Sequence, residues 1–130
     1  MDEKIYIVAI DDDDTILEIY ESGLENYRLR TFLDPQKARE FLFSDKETPD
    51  VILMDIMMPN IDGVTLMNEI HSNDKLSGVP IIAVSGLNDA ATLNDALLFG
   101  AMDYLVKPFD LAELEVKIKK AAEVRRQRKK

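Results

Sequence analysis

The chain has 130 residues, which suits one domain built around one core. It contains no cysteine, which excludes disulfides and thiolate metal sites, and no apolar run is long enough to span a bilayer as a helix. The net charge is −9, but residues 117–130 hold eight Lys/Arg against the single acid Glu123 and carry +7; the acidic body that remains, at −16, repels nucleic acid and attracts cations.

The opening MDEK is acidic and leads straight into a strand-like run, so it does not read as a signal peptide. With the lack of thiols, that is compatible with a cytoplasmic protein. Residues 5–10 (IYIVAI) are β-branched and apolar on both faces, as in a strand covered on both sides. Four aspartates follow, Asp11 to Asp14. Residues 14–26 predict a helix with Ile16, Leu17, Tyr20 and Leu24 on one face. Residues 27–32 predict a weaker strand. Asp34-Pro35 joins an N-cap to a proline at the first helical position, and Ala38, Phe41 and Leu42 form the inward face of the helix that follows.

Residues 51–54 (VILM) are a second solid apolar run, ending at Asp55. A loop with Pro59 and Asp62-Gly63 leads to a helix over 64–72, with Val64, Met67 and Ile70 apolar. Residues 81–84 (IIAV) predict a buried strand that runs into Ser85-Gly86. Leu87 to Phe99 reads as a helix, with Gly100 as its C′ stop. Residues 103–106 (DYLV) predict a short last strand before Lys107-Pro108, where a cis peptide would aim the lysine back toward the sheet edge. Asp110 caps a final helix running to the end of the chain. Repeated βα units with apolar strands and short connections predict an α/β fold: a parallel sheet between two layers of helices.

In open α/β sheets, ligands bind beyond the carboxyl ends of the strands. Asp11 and Asp12, Asp55, Ser85 and Lys107 all fall at such ends. Clustered carboxylates are costly unless a cation neutralises them, and an all-oxygen set suits a hard ion, Mg²⁺ best. Asp11 and Asp12 are the expected ligands; Asp13 and Asp14 read as turn and helix N-terminal residues. Asp55 has three readings at this point: a third ligand, a nucleophile or a helix cap. Beside Mg²⁺ a carboxylate can accept a phosphoryl group, whose oxygens Lys107 and the Ser85 hydroxyl would meet.

The four stretches AIDDDDT, DVILMDIMMPNIDG, PIIAVSG and DYLVKPF, in this order, resemble the receiver domain of two-component response regulators. The resemblance runs from about Lys4 to about Ala122. It implies a flavodoxin-like (βα)5 fold with strand order 2-1-3-4-5, a receiver domain over 1–122 and a basic extension of the last helix over 123–130. It implies Mg²⁺ held by Asp11, Asp12, Asp55 and the main-chain carbonyl of Met57, with Asp55 as phosphoacceptor. Lys107 then pairs with the phosphoryl group, Ser85 swings toward it, and Tyr104 is the aromatic switch; Tyr104 also reads simply as a strand residue covering the core.

The implied protein is a switch rather than a turnover enzyme. A sensor histidine kinase or phosphotransfer protein would phosphorylate it. Its output would pass through the surface of the fourth helix, fifth strand and fifth helix to an effector, an output domain or a second copy, with no membrane and no direct nucleic-acid contact. Met57 and Leu87 are apolar where some relatives carry polar groups that position water, so slow autodephosphorylation is expected. His71 reads as a surface residue. The last helix, with Leu111, Leu114, Ile118 and Ala121 on its core face, reads equally as a connector to further sequence or as a long terminal helix. A rival reading takes Asp11-x-Asp13-x-Thr15 as the DxDxT of haloacid-dehalogenase-like phosphatases, with Asp11 as nucleophile and Asp13 as general acid. It leaves Asp55 without a role.

Overall fold

The computed structural model describes residues 4–44, 47–58, 61–86, 90–98 and 100–128, with the backbone alone at 57–58, 61–62 and 90–93. The elements alternate along the chain as β1 (Tyr6–Ile10), α1 (Asp14–Gly23), β2 (Arg28–Phe32), α2 (Pro35–Leu42), β3 (Val51–Asp55), α3 (Gly63–Ser72), β4 (Ile81–Ser85), α4 (Ala90–Leu98), β5 (Ala101–Val106) and α5 (Leu111–Arg128). The strands form one five-stranded parallel sheet in the order β2-β1-β3-β4-β5, the expected flavodoxin-like arrangement.

Alternation of side chains across the pleat explains the solid apolar strands. Tyr6, Val8, Ile10, Ile52, Met54, Ile81 and Ala83 face one core with Ala38 and Leu42 of α2, Leu66, Met67 and Ile70 of α3, and Ala96 of α4. Ile7, Ala9, Val51, Leu53, Ile82, Val84 and Leu105 face the other with Leu17 and Tyr20 of α1 and Leu114, Ile118, Ala121 and Ala122 of α5. Every residue of β1, β3 and β4 is buried, because helices cover both faces.

Several boundaries differ from the expectation. The first helix stops at Gly23 rather than 26. Leu24 leaves the helical conformation while its N–H still donates to Tyr20 O at 2.8 Å, which closes α1. The chain then turns, with Tyr27 N–H donating to Leu24 O and Arg28 N–H to Ile5 O, which delays β2 to Arg28. The fifth strand starts at Ala101, two residues earlier than its apolar pattern suggested. Ile81 pairs with Ala101 but Ile82 with Asp103, so Met102 is an extra residue in the ladder. Gly100 enters this strand at φ +126°, a conformation suited to glycine. Between β3 and α3 the expected loop contains a two-residue antiparallel ribbon, Met57–Met58 against Ile61–Asp62. Pro59, Leu87 and Phe99 lie outside the described residues, as do the last two lysines.

Candidate functional site

Strands β3 and β4 each run one residue further than their apolar pattern, so Asp55 and Ser85 are their last residues. Asp11 follows β1 directly, and its backbone N–H donates to Phe32 O at 3.1 Å, continuing the β1–β2 ladder. Tyrosines aside, Asp11, Asp55 and Ser85 are the buried polar side chains among the described residues. Burial of that kind demands partners.

The sheet order brings those partners together. Carboxylate oxygens of Asp11, Asp12 and Asp55 all lie within 4.8 Å of one another. Lys107 Nζ reaches across the end of β4 to sit 2.9 Å from Asp11 Oδ2 and 3.5 Å from Asp55 Oδ2. Lys107 is held there by its own N–H, which donates to Ser85 O at 2.8 Å, and the Lys107–Pro108 peptide is cis. Burial works against the lysine charge, but the hydrogen-bonding and charge of Asp11, and then of Asp55, outweigh it and hold the ammonium above the ordinary lysine range.

One ammonium does not balance three carboxylates. Asp11 Oδ1 accepts the Asp13 N–H at 2.9 Å, and the buried Oδ2 is left to the Lys107 ammonium 2.9 Å away. That atom, the exposed Asp12 and Asp55 make an oxygen-only donor set with spare negative charge, which fits a hard divalent cation. Beneath it, burial first, and then the Asp11 and Asp55 charges, push the Tyr20 hydroxyl far above its ordinary range. The Tyr20 ring stacks on Phe109 at 6.0 Å, tying α1 to the segment that follows Lys107. The sequence reading had Tyr20 only as a core residue; a hydroxyl within an apolar face was the available signal.

Gly63 also went unrecognised beyond its place in a turn. Its N–H donates to Ile56 O at 3.1 Å, just past Asp55. Met57, whose carbonyl was an expected ligand, pairs with Asp62 in the ribbon next to it, and its side chain lies outside the description.

Other expected residues sit apart. Asp13 is exposed and caps α1, accepting the Thr15 N–H at 2.9 Å, as expected for a turn aspartate and unlike a general acid aimed at the site. Tyr104, on β5, is 36% exposed at the surface. Next to it Asp103 pairs with Lys117 of α5 at 3.0 Å. His71, at the end of α3, is exposed as expected.

Comparison with known proteins adds the family. The model of the response regulator receiver domain matches residues 7–119. The chain is 35% identical to the phosphoglycerate transport system transcriptional regulatory protein PgtA of Salmonella typhimurium, over 97% of this chain and 30% of that protein. It is 34% identical to the transcriptional regulatory protein CrdR of Helicobacter pylori, over 92% of this chain and 55% of that protein. It therefore spans about a third to about half of these two relatives. The signal receiver domain of an HD domain-containing protein from Pseudomonas fluorescens superposes with a TM-score of 0.85 at 26% identity, covering 96% of this chain and 99% of that one.

Proposed function

The chain belongs to the response regulator receiver family of two-component signalling, and on that premise we propose that it is a phosphorylation-operated switch with Asp55 as phosphoacceptor. The observation that carries this reading is the Lys107 ammonium set between the buried Asp11 and Asp55 carboxylates, with Asp12 beside them. A single nucleophilic carboxylate, a fixed cation and an adjoining acidic pair are what acceptance of a phosphoryl group requires.

An Asp55 oxygen forms a bond to phosphorus as the phosphorus–nitrogen bond of a partner's phosphohistidine breaks, its ring nitrogen keeping the bonding pair. Asp11, Asp12, Asp55 and the Met57 carbonyl would hold Mg²⁺, which when bound offsets charge on the transferring phosphoryl oxygens. Lys107 then exchanges part of its pairing with Asp55 for a phosphoryl oxygen, and the buried Ser85 hydroxyl donates to another. The domain catalyses its own labelling and turns over no other substrate.

Output follows from the displacement of Ser85 and Lys107, which are joined through the Lys107 N–H to Ser85 O hydrogen bond. Movement there biases β5, and Tyr104 turns inward as the space beside Ser85 opens. The exposed apolar residues Leu97 and Leu98 of α4, Tyr104 of β5 and Val116 of α5 support this face as the one read by an effector, an output domain or a second copy. The upstream partner is a sensor histidine kinase or a phosphotransfer protein, in the cytoplasm; no described helix is long and apolar enough to cross a membrane. On this reading residues 1–122 are the receiver and 123–130 a basic extension of it.

Intact mass after incubation with acetyl phosphate and MgCl₂ tests the reading. One added phosphoryl group is expected on the wild type and none on Asp55→Asn. A label that survives Asp55→Asn and is lost in Asp11→Asn would move the nucleophile to the end of β1 and defeat the proposal.

A further inference from the structure

Gly63 lies where no other residue fits. A Cβ built on it would stand 2.6 Å from both Cα and O of Ile56 and 2.8 Å from Asp55 O. All three are backbone atoms, so no rotamer change relieves the contact. They belong to the peptides that follow the phosphoacceptor. The same residue donates its N–H to Ile56 O at 3.1 Å, and its chain neighbour Asp62 pairs with Met57. The first residue of α3 is thus pressed against the stretch carrying both the Asp55 carboxylate and the Met57 carbonyl.

Contrast with the other close glycine shows that this is specific. At Gly23 the atoms nearest a Cβ would be the flexible end of the Leu111 side chain, at the far end of α1 from the carboxylates. At Gly86, next to Ser85, a Cβ would meet nothing within 4 Å, so the opposite wall of the site does not need a glycine.

We propose that Gly63 is a positioning residue for the phosphoryl-acceptor site: its close backbone approach sets the Asp55–Met57 segment in the geometry that binds Mg²⁺ and accepts phosphate, before either is bound. This rests on the receiver reading of the same site. Positioning acts through shape: an unstrained ~3 Å contact holds the segment, and a side chain there pushes the segment away from Asp11 and Asp12.

The test compares wild type, Gly63→Ala and Gly23→Ala. Folding is followed by circular dichroism, Mg²⁺ affinity by calorimetric titration with MgCl₂, and labelling by intact mass with acetyl phosphate. Folded Gly63→Ala is expected to bind Mg²⁺ about ten-fold more weakly, the range seen when a support behind a metal ligand is lost, and to label correspondingly more slowly. Gly23→Ala keeps both. Gly63→Ala that binds Mg²⁺ and labels like the wild type overturns the inference. A wild type that neither binds Mg²⁺ nor labels defeats the receiver reading instead.

A wild-type measurement covers the case in which Gly63→Ala does not fold. By amide hydrogen exchange in metal-free buffer, the Gly63 N–H is expected to be protected like those of β3. Exchange as fast as an open loop would show that the segment is not held in advance and would sink the proposal.

Discussion

Lys107 carries the largest share of the site's internal balance. Substitution by Gln leaves Asp11 and Asp55 facing each other at a buried edge, and a broken buried pair is expensive. Because the lysine side chain keeps 18% of its exposure, the expected loss is about 2 kcal/mol in metal-free buffer, less than for a fully buried pair. Denaturant melts of the wild type and Lys107→Gln would measure it. The pH dependence has a definite sign. The folded pKa is raised, so the folded state holds its proton more tightly than the unfolded chain. The stabilisation is complete below the ordinary lysine pKa of about 10.4 and is lost as pH rises through the raised folded value. The wild type and Lys107→Gln should therefore converge in stability only at strongly alkaline pH.

At the scale of elements, two caps show how local chemistry sets the frame around the site. Asp13 and Asp34 both accept the N–H two residues on, at 2.9 Å, starting α1 and α2. Asp13 matters doubly because it lies between the metal-site candidates and the helix. Asp13→Ala should cost about 1 kcal/mol in thermal or denaturant melts, the usual value of an N-cap, while acetyl phosphate labelling stays at the wild-type level. Loss of labelling in a folded Asp13→Ala would instead give that residue a chemical role. The edge strand β2 uses another device. The Arg28 guanidinium lies 4.3 Å over the Tyr6 ring and that of Arg30 4.4 Å over Phe41, so cations border this edge of the sheet.

At the scale of the whole molecule, three carboxylates converge where the sheet ends. A cation that binds only the folded cluster stabilises the entire domain by mass action. At ten times its dissociation constant, Mg²⁺ should add about 1.4 kcal/mol, which for a chain of this length raises Tm by about 5 °C. A thermal scan in MgCl₂ against NaCl of equal ionic strength would show it. In Asp11→Asn the Mg²⁺-specific rise should vanish, and relief of repulsion should leave the metal-free Tm equal to or above that of the wild type. An identical rise in both salts would mean general screening of a body at −16, not a bound ion.

Strand positions and the residues at their ends were readable from the chain. A strand buried on both faces must be apolar throughout, so a carboxylate, hydroxyl or ammonium at its end stands out: Asp11, Asp55, Ser85 and Lys107 announced themselves that way. Helix ends were less readable: α1 closes at Leu24, whose N–H still donates to Tyr20 O, and the chain turns there although Leu24 itself continues the apolar face. The ribbon of 57–58 against 61–62 was unreadable, since two-residue strands have no periodicity. What only the tertiary structure decided is convergence. Sheet order sets β1 beside β3 and brings Lys107 across β4, so one ammonium meets two buried carboxylates. It also decided that Gly63 must lack a side chain. A sequence names the chemical groups along one dimension, but distances between them are set by long-range packing, which no local pattern encodes.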